Sequence, residues 1–311
     1  MNILLTGSTG FLGSHIYNQL IVNNEIIEIV RKTRTNNKNN IVCDLAAEVP
    51  EIGEGNIDAV VHCAGLAHYI PKSKVDKANF YNRNVAISSN LLLALQKRKL
   101  RPRYFIYISS VAVYGLEKGT SIEESSPLNA KDPYGLSKIK SEEIIKEWCD
   151  ENQIVLTILR PALIVGDKPL GNLGAMISAI KKGYYARIVG NTAQKSAVLA
   201  SDIADVIPRA FEIGGIYNLS DGRDFTFREL EKVIKQSFGV SKKTFLIPLF
   251  AVKFVAKIGD LIEYVTGKSF LVNSNKLNKI TCDLTFSSSL ATLELGWKPR
   301  SILDFYLNIK K

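Results

Sequence analysis

Ile3-Leu4-Leu5-Thr6-Gly7-Ser8-Thr9-Gly10-Phe11-Leu12-Gly13 decides the fold class. The short aliphatic run 3–5, closed by glycine, reads as a buried strand. The periodic residues that follow read as a helix to about Val22. Glycines at 7, 10 and 13 permit a tight turn between the two. They also let backbone amides approach a pyrophosphate, and the helix N-terminus supplies partial positive charge. A plain structural turn would use glycines too, but the placement between strand and helix favours nucleotide binding. The spacing is GxxGxxG, not the GxGxxG of the commoner dinucleotide fold.

Outward from this turn, strand and helix patterns alternate. Residues 25–30 read as a second strand. Residues 57–62 read as a third, after the turn signals Gly53-Glu54-Gly55-Asn56. A helix over 81–100, a strand over 104–109, a helix over 133–149 and a last strand over 155–159 follow. Such alternation means parallel strands with right-handed helical crossovers. The expected fold is therefore α/β: a Rossmann-type doubly wound parallel sheet over 1–165 and a smaller C-terminal α/β substrate-binding region over 166–311. Segments within 186–218 are expected to return to the sheet. The asparagine-rich stretch 36–40 reads as an exposed loop. Residues 166–174 carry glycines and a proline, as substrate loops often do.

Composition narrows the classes. The 311 residues are 46% hydrophobic and 23% charged, which excludes a disordered or fibrous chain. Cys43, Cys63, Cys149 and Cys282 form no CxxC pair, so neither a disulfide scaffold nor a zinc site is expected. With only His15, His62 and His68, no metal site is expected; His62 reads as a packed core residue. Cys63 reads as a small hydrophobe. The formal charge of +10 does not imply nucleic acid, because the basic clusters Arg31-Lys32-Thr33-Arg34 and Lys97-Arg98-Lys99-Leu100-Arg101 lack interleaved aromatics. The second cluster is expected at a helix end, against the negative dipole. The start lacks a basic n-region and a small-residue cleavage site, so no signal peptide is expected. The apolar stretch 245–258 is too short and too interrupted to span a bilayer. It reads first as an amphipathic core helix, and second as a membrane-surface helix. Leu91, Leu92 and Leu95 form an apolar helix face, suited either to the core or to a dimer interface.

Two further motifs carry chemistry. In Tyr134-Gly135-Leu136-Ser137-Lys138 the tyrosine and lysine are four apart on one helix face, and Pro133 suits the first helical position. A phenol titrates near pH ~10, so it is a poor base at neutrality. The ammonium is expected to stabilise the phenolate and lower that value. Ser109-Ser110-Val111-Ala112-Val113-Tyr114-Gly115 ends the 104–109 strand, where open α/β sheets place ligands. A serine there can donate to a carbonyl or alcohol oxygen, or serve as an ordinary cap.

Together the three motifs resemble the extended short-chain dehydrogenase/reductase family, in its branch of nucleotide-sugar epimerases, dehydratases and reductases. The resemblance spans most of the chain and is densest before residue 166. Asp44-Leu45 resembles the family's adenine site, and Cys63-Ala64-Gly65 its fourth-strand cofactor segment. Asn84 resembles the helix asparagine that supports the active-site lysine. Leu159-Arg160-Pro161-Ala162 resembles the strand that passes the nicotinamide. Ser201-Asp202-Ile203-Ala204 and Leu295-Gly296-Trp297-Lys298-Pro299 resemble two later signatures. The resemblance implies cofactor contacts from Gly7, Ser8, Thr9, Gly10, Phe11, Leu12 and Gly13. It makes Tyr134 the general acid/base. Lys138 would lower its pKa and hold the nicotinamide ribose, and Ser110 would bind the reacting sugar oxygen.

Departures from the family pattern are informative. Val111 and Ala112 stand where dehydratases carry an aspartate and a glutamate, which argues against dehydration. Arg31 stands where an acidic residue would bind the ribose hydroxyls of NAD(H), so NADP(H) is expected ahead of NAD(H). The second half resembles 4-reductases of UDP-linked 4-keto-6-deoxy-N-acetylhexosamines. Asn172 and Leu173 would contact the nucleotide-sugar phosphates and Lys195 the diphosphate. Leu163 replaces the asparagine of UDP-galactose epimerases, and Ser287 an aspartate near the nucleotide ribose. An NADPH-dependent UDP-sugar 4-reductase is thus expected slightly ahead of an NAD-dependent UDP-sugar 4-epimerase. A non-catalytic NADP-binding sensor is a third class. A cytoplasmic homodimer without nucleic-acid partner is expected.

Overall fold

Ile3, Leu4 and Leu5 have no exposed surface, which places the strand of the opening motif at the centre of a sheet. The computed structural model describes all residues except 33–38, 68–72, 168–170, 268–269, 271 and 310–311, and the side chains of Lys74 and Asn172. Through the first half, strands β1 (Asn2–Thr6), β2 (Glu25–Val30), β3 (Asn40–Val42), β4 (Ala59–His62), β5 (Tyr104–Ile108), β6 (Gly119–Ile122) and β7 (Val155–Pro161) alternate with helices. The helices are α1 (Phe11–Leu20), α2 (Lys74–Gln96) and α3 (Pro133–Glu151). The second half runs through β8 (Leu163–Val165), α4 (Gly171–Lys182), β9 (Ala186–Val189), β10 (Gln194–Lys195), β11 (Ala197–Leu199), α5 (Ala200–Ala210), β12 (Gly215–Leu219), β13 (Phe225–Thr226) and α6 (Phe227–Phe238). It ends with β14 (Phe245–Pro248), α7 (Leu249–Thr266), α8 (Ser274–Thr281), β15 (Leu284–Phe286), α9 (Ser289–Glu294) and α10 (Ile302–Asn308).

Seven strands form one parallel sheet in the order β12-β7-β5-β4-β1-β2-β3. The order reverses between β1 and β4, and ligands of such sheets bind at the carboxyl ends beside that point. One face is covered by α1 and α5, with Ile16, Ile203 and Ile207 fully buried. The other is covered by α2 and α3, where Leu91, Leu95 and Ile145 are fully buried. The leucine face of α2 is therefore core, which removes it as an intersubunit surface.

Several boundaries differ from the sequence reading. Residues 40–42 pair with β2, and the third expected strand is the fourth. Two apolar residues in that segment were too few for a strand pattern. Beyond β7 the sheet gains β12, which overlaps the later stretch expected to return to it. α2 starts at Lys74, since Ser73 and Asp76 form a reciprocal capping box ahead of the apolar stripe. It stops at Gln96. The arginines beyond it donate to carbonyls, Arg98 to Gly53 and Gly55, Arg101 to Gln96 and Arg98.

A second core lies between α4, α6 and α10, with Ile180, Leu230, Ile234 and Ile302 buried. Trp297 joins the two halves, packing in the first core while its indole N–H donates to Ser220 O at 2.8 Å. Asp202 on α5 accepts from the backbone N–H of Arg300 at 2.6 Å and from its Nε at 2.7 Å. The stretch 245–258 does not form a core helix. It becomes β14 and the first half of α7, and only Ala256 and Gly259 of α7 are buried.

Candidate active site

The glycine turn is shaped by what surrounds it. Gly7 has φ +77°, and a Cβ there would lie 2.7 Å from Ala64 N. A Cβ on Gly13 would lie 2.0 Å from Gly7 O. The first and third glycines thus let β1, the 63–65 segment and the first turn of α1 press together. Gly10 caps α1 with no side chain, and the first turn holds no acidic residue. The α1 amides and their positive dipole end consequently face an anion-sized opening. This cradle fits the pyrophosphate of a dinucleotide.

A cleft of about 1740 Å³ runs from this turn along the carboxyl ends of the strands. Gly7, Thr9, Gly10, Phe11, Leu12 and Gly13 line its floor. Arg31 and Asp44, just past β2 and β3, line one end, and Leu45 lies beside them. Cys63, Ala64, Gly65, Pro161, Ala162 and Leu163 line the middle. Ser8, among the expected contacts, is fully buried beneath the turn. Arg34 and His68 lie outside the described residues.

Ser110, Tyr134 and Lys138 meet in this cleft. Asp132 caps α3, its carboxylate accepting from the N–H groups of Tyr134 (3.0 Å) and Gly135 (3.1 Å), with Pro133 in the first turn. Gly135 makes the approach possible. A Cβ there would lie 2.5 Å from Ala130 Cβ and 2.6 Å from Ala112 O, so only glycine lets α3 begin against the Ser110 loop. The Ser110 hydroxyl accepts from Ala112 N at 3.2 Å and is near enough to the Tyr134 phenol to favour its ionised form. The cap reading and the site reading of that serine hold together. One turn on, Lys138 is buried, with Nζ 6.0 Å from the centre of the Tyr134 ring. The ammonium donates to Ile108 O at 2.8 Å and lies 4.8 Å from the Tyr107 ring centre.

The electrostatics correct one expectation. Desolvation raises the Tyr134 phenol above its ordinary value, and this outweighs the lowering by Lys138 and by the Ser110 hydroxyl. The lysine acts in the expected direction without winning.

Other expected residues take other roles. Asn84 and Lys138 both reach the space beside Gly65, and Asn84 has a further role there. Its amide clamps the backbone of Leu66, accepting from N at 2.7 Å and donating to O at 3.1 Å, which fixes the segment beside Gly65. The Leu173 side chain is buried in the C-terminal core, in the first turn of α4. The side chain of Asn172 is outside the described residues. Lys195 donates to Cys282 O at 2.7 Å and does not line the cleft. Ser287 hydrogen-bonds Ser289. His62 is fully buried, hydrogen-bonded to Thr6 (2.7 Å) and Ser88 (3.1 Å). Desolvation pushes its pKa down to about 3, so it is neutral. Cys63 is pushed up to about 11 by burial and is a thiol at neutral pH. Among the described residues no group of His, Cys, Asp or Glu could hold a metal ion.

The sequence reading missed the support behind Ser110. Glu142, one turn beyond Lys138 on the same helix face, accepts from Ser109 Oγ at 2.5 Å, Arg160 Nε at 3.0 Å and Arg160 Nη2 at 2.5 Å. Arg160 in turn donates to the Tyr114 hydroxyl at 3.1 Å, which donates to Asn218 Oδ1 at 2.7 Å. The spacing Tyr134, Lys138, Glu142 was the available signal: a charged residue continuing an inward-facing row needs a buried partner.

Comparison with known proteins follows this geometry. The model of the NAD dependent epimerase/dehydratase family matches residues 3–220. The chain is 26% identical over 305 residues to N-acetyl-alpha-D-glucosaminyl-diphospho-ditrans,octacis-undecaprenol 4-epimerase of Escherichia coli, covering 93% of this chain and 88% of that one. It is 26% identical over 322 residues to UDP-glucose 4-epimerase of Vibrio cholerae, covering 97% and 92%. Among solved structures, UDP-glucose 4-epimerase of Thermotoga maritima with UDP-glucose superposes with a TM-score of 0.74 at 21% identity, covering 99% and 96%.

Proposed function

The chain belongs to the NAD dependent epimerase/dehydratase family, and on that premise we propose that it is a UDP-sugar 4-epimerase. The observation that carries this reading is the convergence of Ser110, Tyr134 and Lys138 on one cleft with the α1 glycine turn. Relatives that match nearly the whole chain are 4-epimerases. They move the balance from the reductase, which the sequence put slightly ahead, to its alternative.

The glycine turn, Arg31, Asp44, the 63–65 segment, Lys138 and Pro161-Ala162 would hold the dinucleotide. A dinucleotide held there would supply the hydride acceptor and donor for the sugar C4. Tyr134 Oη accepts the proton of the C4 hydroxyl as that carbon becomes a ketone, and gives it back when the ketone is reduced on its other face. Ser110 Oγ hydrogen-bonds the same oxygen and holds it against the phenol. Lys138 favours the phenolate electrostatically, offsetting part of the burial cost. Val111 and Ala112 offer no acid for a leaving hydroxyl, which sets dehydration aside. The C4 carbon must turn between the two hydride transfers, and the wide cleft leaves room for that.

Arg31 favours a second reading. A cation at the adenosine end suits a 2′-phosphate, hence NADPH and a 4-keto-sugar reductase. One experiment separates the two. The purified protein is denatured, and released nucleotide is identified and counted by chromatography. The remaining protein is incubated with UDP-sugars, and the products are read by NMR. Near-stoichiometric NAD⁺ with a C4 epimer as product is expected. An empty site stabilised by NADPH, with NADPH oxidised by a UDP-4-keto sugar, would install the reductase. Cofactor binding without turnover on any sugar would sink both and leave a sensor.

A further inference from the structure

α7 carries its apolar side outward. Phe250, Phe254, Leu261 and Val265 recur on one face of the helix, and all are exposed, Phe250 by 77%. Lys253, Lys257 and Tyr264 flank them, and Tyr264 is 89% exposed. The strand just before continues the surface: Phe245, Leu246 and Ile247 of β14 are all exposed, beside Val189 of β9. Single exposed apolar residues need no explanation, but a contiguous face of this kind marks an interaction surface.

The charges on this element are sorted. Residues 242–266 contain four lysines and two acids, Asp260 and Glu263. Both acids are engaged by the segment that opens α8, Glu263 half-buried and Asp260 exposed. Asp260 accepts from Ser274 N (2.9 Å) and Oγ (2.5 Å). Glu263 accepts from Asn273 Nδ2 (3.0 and 2.9 Å) and from Phe270 N (2.5 Å). Gly259 lets the helix lie flat there, since a Cβ would come 2.0 Å from Val272 O. Lysines are thus in excess on this element, and the exposed acid is tied up by Ser274. Lys242 extends that excess, with Nζ donating to Lys182 O at 3.1 Å, which brings the exposed end of α4 (Lys181, Lys182) beside Lys242 and Lys243.

We infer that the α7–β14 face docks on an anionic lipid bilayer, with Phe250, Phe254 and Leu261 entering the acyl boundary and the lysines meeting headgroup phosphates. Aromatic and aliphatic side chains outward, with an aromatic hydroxyl and lysines at the flank, suit a helix that lies in the interface. Among the described residues no helix is long and apolar enough to cross a membrane. A second copy of the chain is the poorer occupant, because four lysines over 242–266 add like charge to both partners of such a pair, whereas an anionic surface neutralises them. These residues do not line the cleft, so the inference is independent of the proposed activity.

The full chain is sedimented with vesicles of phosphatidylglycerol and phosphatidylcholine, and with phosphatidylcholine alone. Pelleting with the anionic vesicles, reduced by high salt, is expected. The triple variant Phe250→Ser, Phe254→Ser, Leu261→Ser and the double variant Lys253→Glu, Lys257→Glu are each expected to reduce partitioning by ~10-fold or more. Because these side chains are exposed, thermal unfolding midpoints should match the parent. The inference is overturned if the parent stays in the supernatant with anionic vesicles, or if both variants pellet as it does. It is equally overturned if light scattering finds a dimer that the triple variant dissolves while no form pellets, which would assign the face to a second copy.

Discussion

At the scale of single residues, the site is a contest between burial and charge. The Tyr134 phenol is raised by desolvation, and Lys138 pulls the other way. At neutral pH the phenol is then the dominant form, and the phenolate's share grows as pH rises. The sign follows directly: oxidation of the C4 hydroxyl needs the phenolate, so kcat/KM in that direction should climb from neutrality into the alkaline range. Lys138→Met removes the only lowering charge in the pair, so its profile should sit at higher pH and lower rate, measured at saturating cofactor. Superimposable profiles would show that the lysine acts on cofactor alone. That Tyr134 and Lys138 share a face was legible, because helical spacing is local. The direction of the phenol's shift was not, because desolvation comes from every chain segment around it. Asn84 makes the same point: its place on α2 was readable, and its partner at Leu66 was set by a loop.

At the scale of elements, the carboxyl end of β5 and the start of α3 must touch for Ser110 to reach Tyr134. Gly135 is the contact that allows it. Gly135→Ala should push the start of α3 away from Ala112, and a displacement of about 1 Å at a reacting group can cost ~10²-fold in rate. The expected outcome is a kcat lowered to that extent, with the dinucleotide's Kd nearly unchanged because the α1 turn is untouched. An unaltered kcat would show that the loop yields without moving Ser110. The motif Tyr134-Gly135-Leu136-Ser137-Lys138 had displayed this glycine all along. Its meaning needed Ala130 and Ala112 on the other side. α7 is the opposite case. Its helical period was readable, but which face turned inward was not, since Ala256 and Gly259 form the buried side by packing against the α8 segment.

At the scale of the whole molecule, one buried polar chain ties the catalytic helix to the sheet. Glu142 on α3, Ser109 after β5, Arg160 on β7, Tyr114 and Asn218 on β12 are linked in sequence by hydrogen bonds. The ion pair at its centre is almost fully buried, 3% and 6% exposed. Breaking such a pair from one side leaves an uncompensated charge and costs about 3–5 kcal/mol. Arg160→Met should lower stability by that amount in urea unfolding. Combining it with Glu142→Leu should recover a substantial part, because no buried charge then remains. A single variant as stable as the parent would show that water reaches Glu142. This chain joins residues up to 104 apart in sequence, so no local pattern announced it.

The sequence by itself determined the alternation of strands and helices, the glycine turn at the first crossover and the Tyr134–Lys138 pairing. Each depends on periodicity or spacing within a few turns of chain, where backbone geometry leaves few choices. Only the tertiary structure decided that residues 40–42 extend the sheet, that the Leu173 side chain is core, that Glu142 meets Arg160 and that α7 faces outward. Those outcomes depend on which distant surfaces meet, and burial and desolvation are properties of that meeting.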